Sequence, residues 1–246
     1  MWPMLEVCAS DIGSVEAAAK GGAMRVELCS ALSEGGLTPS IGLIEEALKV
    51  SGIKVNVLIR PRAGDFVYSE AEIRVMLRDI DMCRRLGVNG VVFGALAPDG
   101  SVDVEACRRM IDASGGLCRT FHRAFDMCRD PHRAAQEIMD LGFDRILTSG
   151  QADSALAGSS LIGMLQKEFP SLTFIAAGGI GPRNAAEVIG VAGVKELHAS
   201  AKTMVSSSML FRRDGVSMGL PDADEYSRAT TSETIVRKIM LAINNE

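Results

Sequence analysis

Eight short apolar runs alternate with amphipathic helical patterns along the chain, and this alternation limits the possible folds more than any other feature. Such an order is typical of repeated βα units on a parallel sheet. The predicted strands span 4–9, 24–29, 54–59, 90–94, 117–122, 144–149, 172–177 and 195–200. Eight units in 246 residues match the usual size of a TIM barrel, so we predict an α/β fold with one (β/α)8 TIM-barrel domain over residues 1–246.

The main competing fold is a doubly wound open sheet. The first strand-to-helix turn, CASDIG (8–13), lacks the glycine fingerprint that a dinucleotide-binding fold places there, and no organic cofactor is indicated. Residues 203–230 show no strong periodicity. We therefore expect an irregular C-terminal flap over 203–230, followed by a terminal helix over 232–243.

Net charge and cysteine content limit which kinds of partner and which cellular location the sequence predicts. The net charge is −5 and the basic residues are scattered, which disfavours a nucleic-acid partner or an anionic membrane surface and favours small molecules or ions. No apolar run reaches the roughly 18 residues of a membrane span, and the first residues do not resemble a secretory signal. We expect a cytoplasmic protein whose six cysteines are reduced thiols.

Polar residues occupy the alternate strand positions that should face the barrel lumen. A lumen is normally filled by branched aliphatic side chains, because an unpaired buried charge costs several kcal/mol, so this polarity predicts a site at the C-terminal strand ends. For any one charged residue, an internal salt bridge that fills the barrel is an equally good interpretation. The inward set is Glu6, Cys8, Glu27, Cys29, Asn56, Arg60, Thr120, His122, Thr148, Glu196, His198 and Ser200.

Proton-transfer candidates come from two of these strands and one loop. Glu27, His122 and Asp126 are the predicted catalytic residues, and the string TFHRAFD (120–126) combines an imidazole, a guanidinium and a carboxylate. We predict that Glu27, Arg60, His122 and His198 lie within one polar cluster, because four such groups in a lumen need mutual partners. His132, next to Pro131, is expected at the surface.

Anion-binding candidates lie in the loops at the same end of the barrel. Arginine suits a carboxylate or phosphate, although in a loop it serves equally well to clamp neighbouring carbonyls. Glycine-rich loops after strands seven and eight, AGGIG (177–181) and ASAK (199–202), stand where TIM barrels often bind phosphate; close strand-to-helix packing is the alternative. The predicted substrate-binding residues are Arg60, Arg62, Asp65, Arg123, Gly179, Gly181, His198, Ser200 and Lys202.

The strings that contain these residues resemble the CutC family of copper homeostasis proteins. They are LEVC (5–8), RVELCSALSEGGLTPS (25–40), IRPRAGDFVYSEAE (59–72), VFGALAPDGSVD (92–103), TFHRAFD (120–126), RILTSG (145–150), GGI (178–180), ELHASA (196–201) and SMG (217–219). The resemblance implies a cytoplasmic, homo-oligomeric TIM barrel. It also implies that Cu(I) is bound by the strand-end cysteines, here Cys8 and Cys29.

Two functions remain open. In the first, Cys8 and Cys29 hold Cu(I): neighbouring strands lie about 4.8 Å apart, and two metal–sulfur bonds in line span about 4.6 Å, so thiolates at one level would suit the ion. An almost equally good interpretation is that both cysteines are small buried residues at strand ends. In the second, the barrel mouth is a lyase or isomerase site for a small phosphorylated or carboxylated metabolite. Copper is the primary prediction, with the enzyme as the alternative.

Overall fold

Eight parallel strands hydrogen-bond in chain order and close into a barrel in the computed structural model, which describes residues 3–213, 215–216, 218 and 224–244. Each strand pairs with the next along the chain, and the eighth returns to the first. The predicted (β/α)8 barrel is confirmed. The barrel strands are β1 Met4–Ala9, β2 Arg25–Leu28, β3 Lys54–Leu58, β4 Gly90–Phe93, β5 Cys118–Phe121, β6 Arg145–Thr148, β7 Thr173–Ala177 and β8 Glu196–Ala199.

Helices surround the barrel and begin at the signals that the sequence carries. In the longest, over Glu70–Leu86, Ser69 and Glu72 form a capping box that satisfies backbone N–H groups at the helix start. The helices are α1 Ile12–Gly21, α2 Ile41–Ala47, α3 Glu70–Leu86, α4 Val104–Ser114, α5 Pro131–Leu141, α6 Ser159–Glu168, α7 Ala185–Ala192 and α8 Glu233–Asn244. None of the helices in the described ranges is both long and apolar enough to cross a bilayer.

The strand alternation separates an apolar layer from a polar lumen. Leu5 and Val7 of β1 are fully buried in the core between the sheet and the helices. Glu6 lies between them in sequence and faces the lumen, where its register partners are Arg25 of β2 and His198 of β8. Because side chains on a strand alternate between two faces, this register brings charged groups of three strands to one level.

The chain after the barrel departs from the prediction. A two-stranded antiparallel ribbon forms from β9 Lys202–Ser206 and β10 Ser227–Thr231, so the expected irregular flap over 203–230 is wrong at both ends. These strands are short and mostly exposed, so they lack the apolar alternation by which a strand is recognised. Ser217 and Gly219 of the SMG string fall outside the described residues.

The ribbon is anchored to α1. The Ser14 hydroxyl lies 3.1 Å from Thr230 Oγ1 and accepts the Thr231 N–H at 3.0 Å. After the ribbon, α8 packs on α1 so closely that a Cβ on Gly21 would come within 2.5 Å of Val236. The last helix therefore closes the outer ring next to the first.

Candidate functional site

A cavity of about 260 Å³ opens at the C-terminal ends of the barrel strands. Most residues that the sequence predicts for the site line it: Cys8, Glu27, Cys29, Arg60, His122, Arg123, Gly179, His198 and Ser200. Apolar residues complete the wall: Leu32, Phe66, Leu147, Ala177 and Ile180. As far as the described residues go, the lining excludes Arg62, Asp65, Asp126 and Gly181.

Below the cavity, Arg25 ties two buried carboxylates together. Its Nε donates to Glu6 Oε2 and its Nη2 donates to Glu196 Oε2 at 2.6 Å, while Arg145 Nε lies 3.2 Å from the same Glu196 oxygen. Burial alone would raise the pKa of Glu6, but Arg25 and the hydrogen bond with His198 lower it to about 2. For Glu6, the internal salt bridge is therefore the correct interpretation.

His198 connects this network with the cavity. Its Nδ1 lies 2.8 Å from Glu6 Oε1, and its Nε2 lies 3.9 Å from Glu27 Oε2. Burial lowers the pKa of His198, yet contact with the Cys8 thiol and with Glu6, together with nearby Glu27, raises it well above the usual value. Because the pKa of Glu6 is low, its carboxylate is the acceptor of this bond and His198 Nδ1 donates to it.

Glu27 differs from the other lumenal carboxylates because it has no arginine partner in the described structure. Its side chain is nearly buried, and Oε1 has no hydrogen-bond partner among the described residues. Burial raises the pKa of Glu27 to about 7, with Glu6 adding to the rise and His198 and Arg25 opposing it. The cavity floor thus holds a carboxylate whose charge is poorly balanced.

His122 presents a proton on a defined nitrogen. Its Nδ1 accepts the Ala124 N–H at 3.3 Å, so the ring proton belongs on Nε2, which is buried and has no partner in the described ranges. Burial, reinforced by Arg60, lowers the pKa of His122 to about 3. Its ring, 4.9 Å from that of Phe66 between centroids, is a neutral hydrogen-bond donor on the cavity wall. The third histidine, His132, is exposed and lies 2.6 Å from Glu168 through Nδ1.

Arg60 donates hydrogen bonds to loop carbonyls through both of its terminal nitrogens. Its Nη1 donates to the carbonyl oxygens of Glu34 at 2.8 Å and Gly36 at 3.1 Å, and its Nη2 donates to that of Gly64 at 2.8 Å. Both terminal nitrogens therefore serve the fold. These bonds are the carbonyl clamp that the sequence left open as the alternative. Arg60 also lines the cavity, so its contact with a substrate stays a prediction.

Arg62 and Asp65 lie in the same loop and contact each other instead of the cavity. Arg62 Nη2 donates to Asp65 Oδ1 at 3.0 Å and to the Val67 carbonyl at 2.7 Å, and its Nε donates to Glu72. These bonds attach the loop to the start of α3. The substrate-binding role predicted for this pair is corrected accordingly.

Asp126 accepts hydrogen bonds from residues at the end of β6 and just after it. Its carboxylate accepts the Ser149 N–H at 3.0 Å, the Gln151 N–H at 3.2 Å and the Thr148 hydroxyl. It also accepts Arg123 Nε at 2.7 Å. Both oxygens are engaged with the fold, so we no longer assign Asp126 to proton transfer.

The Arg123 side chain lies at the rim of the cavity, and only part of its guanidinium is hydrogen-bonded within the described structure. Its Nε binds Asp126 and its Nη2 donates to Ser149 Oγ at 3.0 Å, while the side chain is about half exposed, at 47%. Within the described structure, its Nη1 makes no hydrogen bond or ion pair. Of the predicted anion-binding arginines, Arg123 is the one placed to meet a ligand.

The glycine loop after β7 is held by hydrogen bonds between its own residues and Asn184. The Gly181 N–H donates to Asn184 Oδ1 at 2.8 Å, and Asn184 Nδ2 donates to the Gly179 carbonyl at 2.9 Å. The Gly181 amide is therefore used, whereas Gly179 and Ser200 line the cavity. Lys202 is exposed on β9, beside a second hollow of about 360 Å³ that adjoins the first.

The two strand-end cysteines share the cavity but not one level. The register pairs Cys8 with Glu27, and Cys29 follows two residues later, directly after β2, or about 6.6 Å further along the chain direction. Cys8 is partly exposed and Cys29 is fully buried. Burial, with Glu27 adding, raises the pKa of the Cys29 thiol above its usual range. The register therefore does not place the two thiols at the one level that would suit a shared ion.

The sequence prediction missed the cations beneath the cavity. Arg25 stands on the same face of β2 as Glu27 and Cys29, so strand alternation alone could have placed it in the lumen. Arg145 starts β6 and joins the network through Glu196. For Phe66, which packs on His122 from a loop, the sequence offers no such signal.

Comparison with known proteins gives consistent matches. A family model described as the CutC family matches residues 3–203. The chain is 43% identical over 242 residues to the CutC family protein of Chromobacterium violaceum, covering 98% of both, and 47% identical over 218 residues to that of Parabacteroides distasonis, covering 88% of this chain and 90% of the relative. A crystal structure of the candidate copper homeostasis protein CutC of Streptococcus agalactiae superposes with a TM-score of 0.77 at 33% identity, covering 80% of this chain and 98% of that one.

Proposed function

The chain belongs to the CutC family, and on that premise we propose that it is a copper homeostasis protein that binds Cu(I) through Cys8 and Cys29. The observation that carries this proposal is that two thiols from adjacent strands line one cavity at the barrel mouth. The similar protein of Streptococcus agalactiae is described as a candidate copper homeostasis protein, which supports the same assignment.

The donor set of the cavity suits a soft ion. Thiolates select Cu(I) over hard cations, and His198 beside Cys8 adds a borderline nitrogen donor. Cys8 is the thiol that an incoming ion meets first, since Cys29 is fully buried. Because the two cysteines are offset along the strands, both side chains have to turn toward a shared ion.

Titration of Cu(I) against a competing chelator under reducing conditions tests this proposal. We expect Cys8→Ser and Cys29→Ser each to weaken the affinity at least tenfold. Cys118→Ser is the matched control, because Cys118 is exposed at the start of β5 and outside the cavity lining. Equal affinity in all four proteins would exclude Cys8 and Cys29 as ligands.

A second function is favoured by groups that a thiolate copper site leaves unused. A half-exposed arginine at the rim and a neutral imidazole donor on the wall are typical of a site for a small phosphorylated or carboxylated compound. In this lyase or isomerase alternative, Arg123 binds the anionic group and His122 Nε2–H donates to an oxygen that gains charge. Glu27 then accepts or returns a substrate proton.

A ligand panel tests the enzyme alternative. Small phosphorylated and carboxylated compounds are ranked by the rise in melting temperature that they cause in the parent protein. We expect a stabilising compound to lose its effect in Arg123→Gln and to keep it in Arg129→Gln, since Arg129 is an exposed arginine paired with Asp99 outside the cavity lining. Equal stabilisation of both variants would remove Arg123 from the site.

We also propose that the protein is cytoplasmic and forms a homo-oligomer. Exposed apolar side chains after β9 support assembly: Leu210 is 99% exposed, Met218 84% and Phe211 63%. Exposure of several large apolar side chains in one segment is typical of an association surface. Light scattering that gives the mass of one chain at micromolar concentration would contradict the oligomer, and cell fractionation tests the location.

A further inference from the structure

Three titratable side chains meet at the floor of the cavity. Glu6, Glu27 and His198 each offer one ligand atom, and these three atoms lie within 4.8 Å of one another. We propose that Glu27 and His198 Nε2 bind a divalent first-row transition-metal ion of the zinc type, and that Glu6 orients His198 for this purpose. This site uses neither thiol of the proposed copper site, although His198 is a donor in both proposals.

The separation of the two assigned ligand atoms suits an ion better than direct contact. His198 Nε2 and Glu27 Oε2 lie 3.9 Å apart, which is too long for a hydrogen bond. With metal–ligand bonds of about 2.1 Å and tetrahedral angles, two ligand atoms stand about 3.4 Å apart. A shift of about 0.5 Å, well within side-chain flexibility, would complete the geometry.

The charge balance of the lumen indicates where a cation is missing. Glu6 and Glu196 each have an arginine partner, whereas Glu27 has none in the described part of the chain. Glu27 is 6% exposed, and its Oε1 is buried without a hydrogen-bond partner. His198 Nε2 lies 3.9 Å from the other oxygen, Oε2, and supplies no hydrogen bond. A buried carboxylate oxygen without a hydrogen-bond partner is costly, so Oε1 points to a ligand.

Glu6 has the arrangement that supports a metal-binding histidine. Its Oε2 accepts from Arg25, and its Oε1 accepts His198 Nδ1 at 2.8 Å, so both oxygens are used. A histidine that binds a metal through one nitrogen usually donates the other N–H to a carboxylate, which fixes the ring. Glu6 is therefore a positioning residue, and Nε2 is left to face Glu27.

The remaining coordination positions open onto the cavity. Both Glu27 and His198 line it, so water or an oxygen of a small ligand can complete the shell. A mixed nitrogen and oxygen donor set with open positions is typical of zinc sites that bind and polarise a ligand.

Zinc titration with matched variants tests the assignment. We expect the parent to bind one Zn²⁺ per chain, and Glu27→Gln and His198→Gln each to weaken binding by ten- to a hundredfold. His132→Gln is the control, because it removes an exposed histidine that is likewise paired with a carboxylate, Glu168. Cys29→Ser should retain the zinc affinity, which separates this site from the copper proposal.

A second measurement does not depend on the folding of any variant. Anomalous scattering from crystals of the parent soaked in Zn²⁺ should place the ion within about 2.2 Å of His198 Nε2 and one Glu27 oxygen. An ion located only at His132, no binding by the parent, or equal zinc affinity in Glu27→Gln and the parent would each overturn the proposal.

Discussion

Replacing Arg25 by methionine should destabilise the barrel more than any surface charge change. Arg25 is 3% exposed and is the cation shared by the carboxylates of Glu6 and Glu196. Arg25→Met keeps a long apolar stem and removes the charge. Glu6 then retains only His198, and Glu196 retains only Arg145 among the described residues.

The expected loss follows from the burial of the ion pair. Breaking a buried pair by removing one partner costs about 3–5 kcal/mol, because a charge is left without compensation. For a chain of this size, each kcal/mol shifts the melting temperature by about 2–4 °C, which gives a decrease of roughly 6–20 °C. Arg133→Met is the control, since Arg133 forms an exposed i,i+4 pair with Glu137 that is worth about 0.3–0.5 kcal/mol.

The pH dependence separates charge loss from packing loss. In the parent, the pKa of Glu6 is about 2, against an ordinary value of 4.5, so its stabilisation is present above pH 4.5 and is lost as the pH falls toward 2. Without Arg25 this carboxyl protonates more readily. The difference in free energy of unfolding between parent and Arg25→Met should therefore shrink by about 1 kcal/mol between pH 7 and 3.5.

Urea denaturation followed by circular dichroism at several pH values measures this difference. A constant difference across the pH range would refute the electrostatic argument and assign the loss to packing. A loss no larger than that of the Arg133→Met control would refute the buried ion pair itself.

Three further outcomes are expected. Because the pKa of Glu27 is raised from 4.5 to about 7, its stabilising contribution is present below pH 4.5 and lost as the pH rises to 7. Over that window the free energy of unfolding of Glu27→Gln should decline less than that of the parent, by up to about 3 kcal/mol. Free energies of unfolding from urea denaturation that change in parallel with pH for the parent and Glu27→Gln would contradict this. Asp126→Asn should cost about 1–3 kcal/mol in thermal unfolding, because the buried Thr148 hydroxyl and Ser149 N–H lose a charged acceptor. Gly90→Ala should cost about 1–3 kcal/mol, since its Cβ would lie 2.8 Å from the Cys118 carbonyl, whereas Gly116→Ala meets nothing within 4 Å and should be tolerated.

The strands and the inward positions could be predicted because both follow from local periodicity. An apolar run marks a strand, and the alternation of its side chains places Glu27 and His198 in the lumen without knowledge of any other strand. The closed barrel then follows from the number of units. For Glu27 and His198, local alternation in the sequence is therefore sufficient to predict a lumenal position.

Loop side chains and strand register could not be predicted in this way. Which carbonyls Arg60 meets depends on how the segment near Gly36 folds back over β3, and no local pattern encodes that approach. Nor does the sequence reveal the stagger between β1 and β2, which separates Cys8 from Cys29. Asp126 was misassigned for the same reason, because its donors come from the end of a different strand.

The ribbon of β9 and β10 brings the two ends of the intervening stretch, 207–226, together, because Ser206 and Ser227 are register partners. The ribbon is fastened to the first helix at Ser14, and the family model ends at residue 203, within β9. Loop closure becomes only about 0.6 kcal/mol more costly when loop length doubles. Lengthening this stretch therefore costs the fold little, and an affinity tag or fluorescent label inserted between residues 207 and 213 should leave metal binding intact.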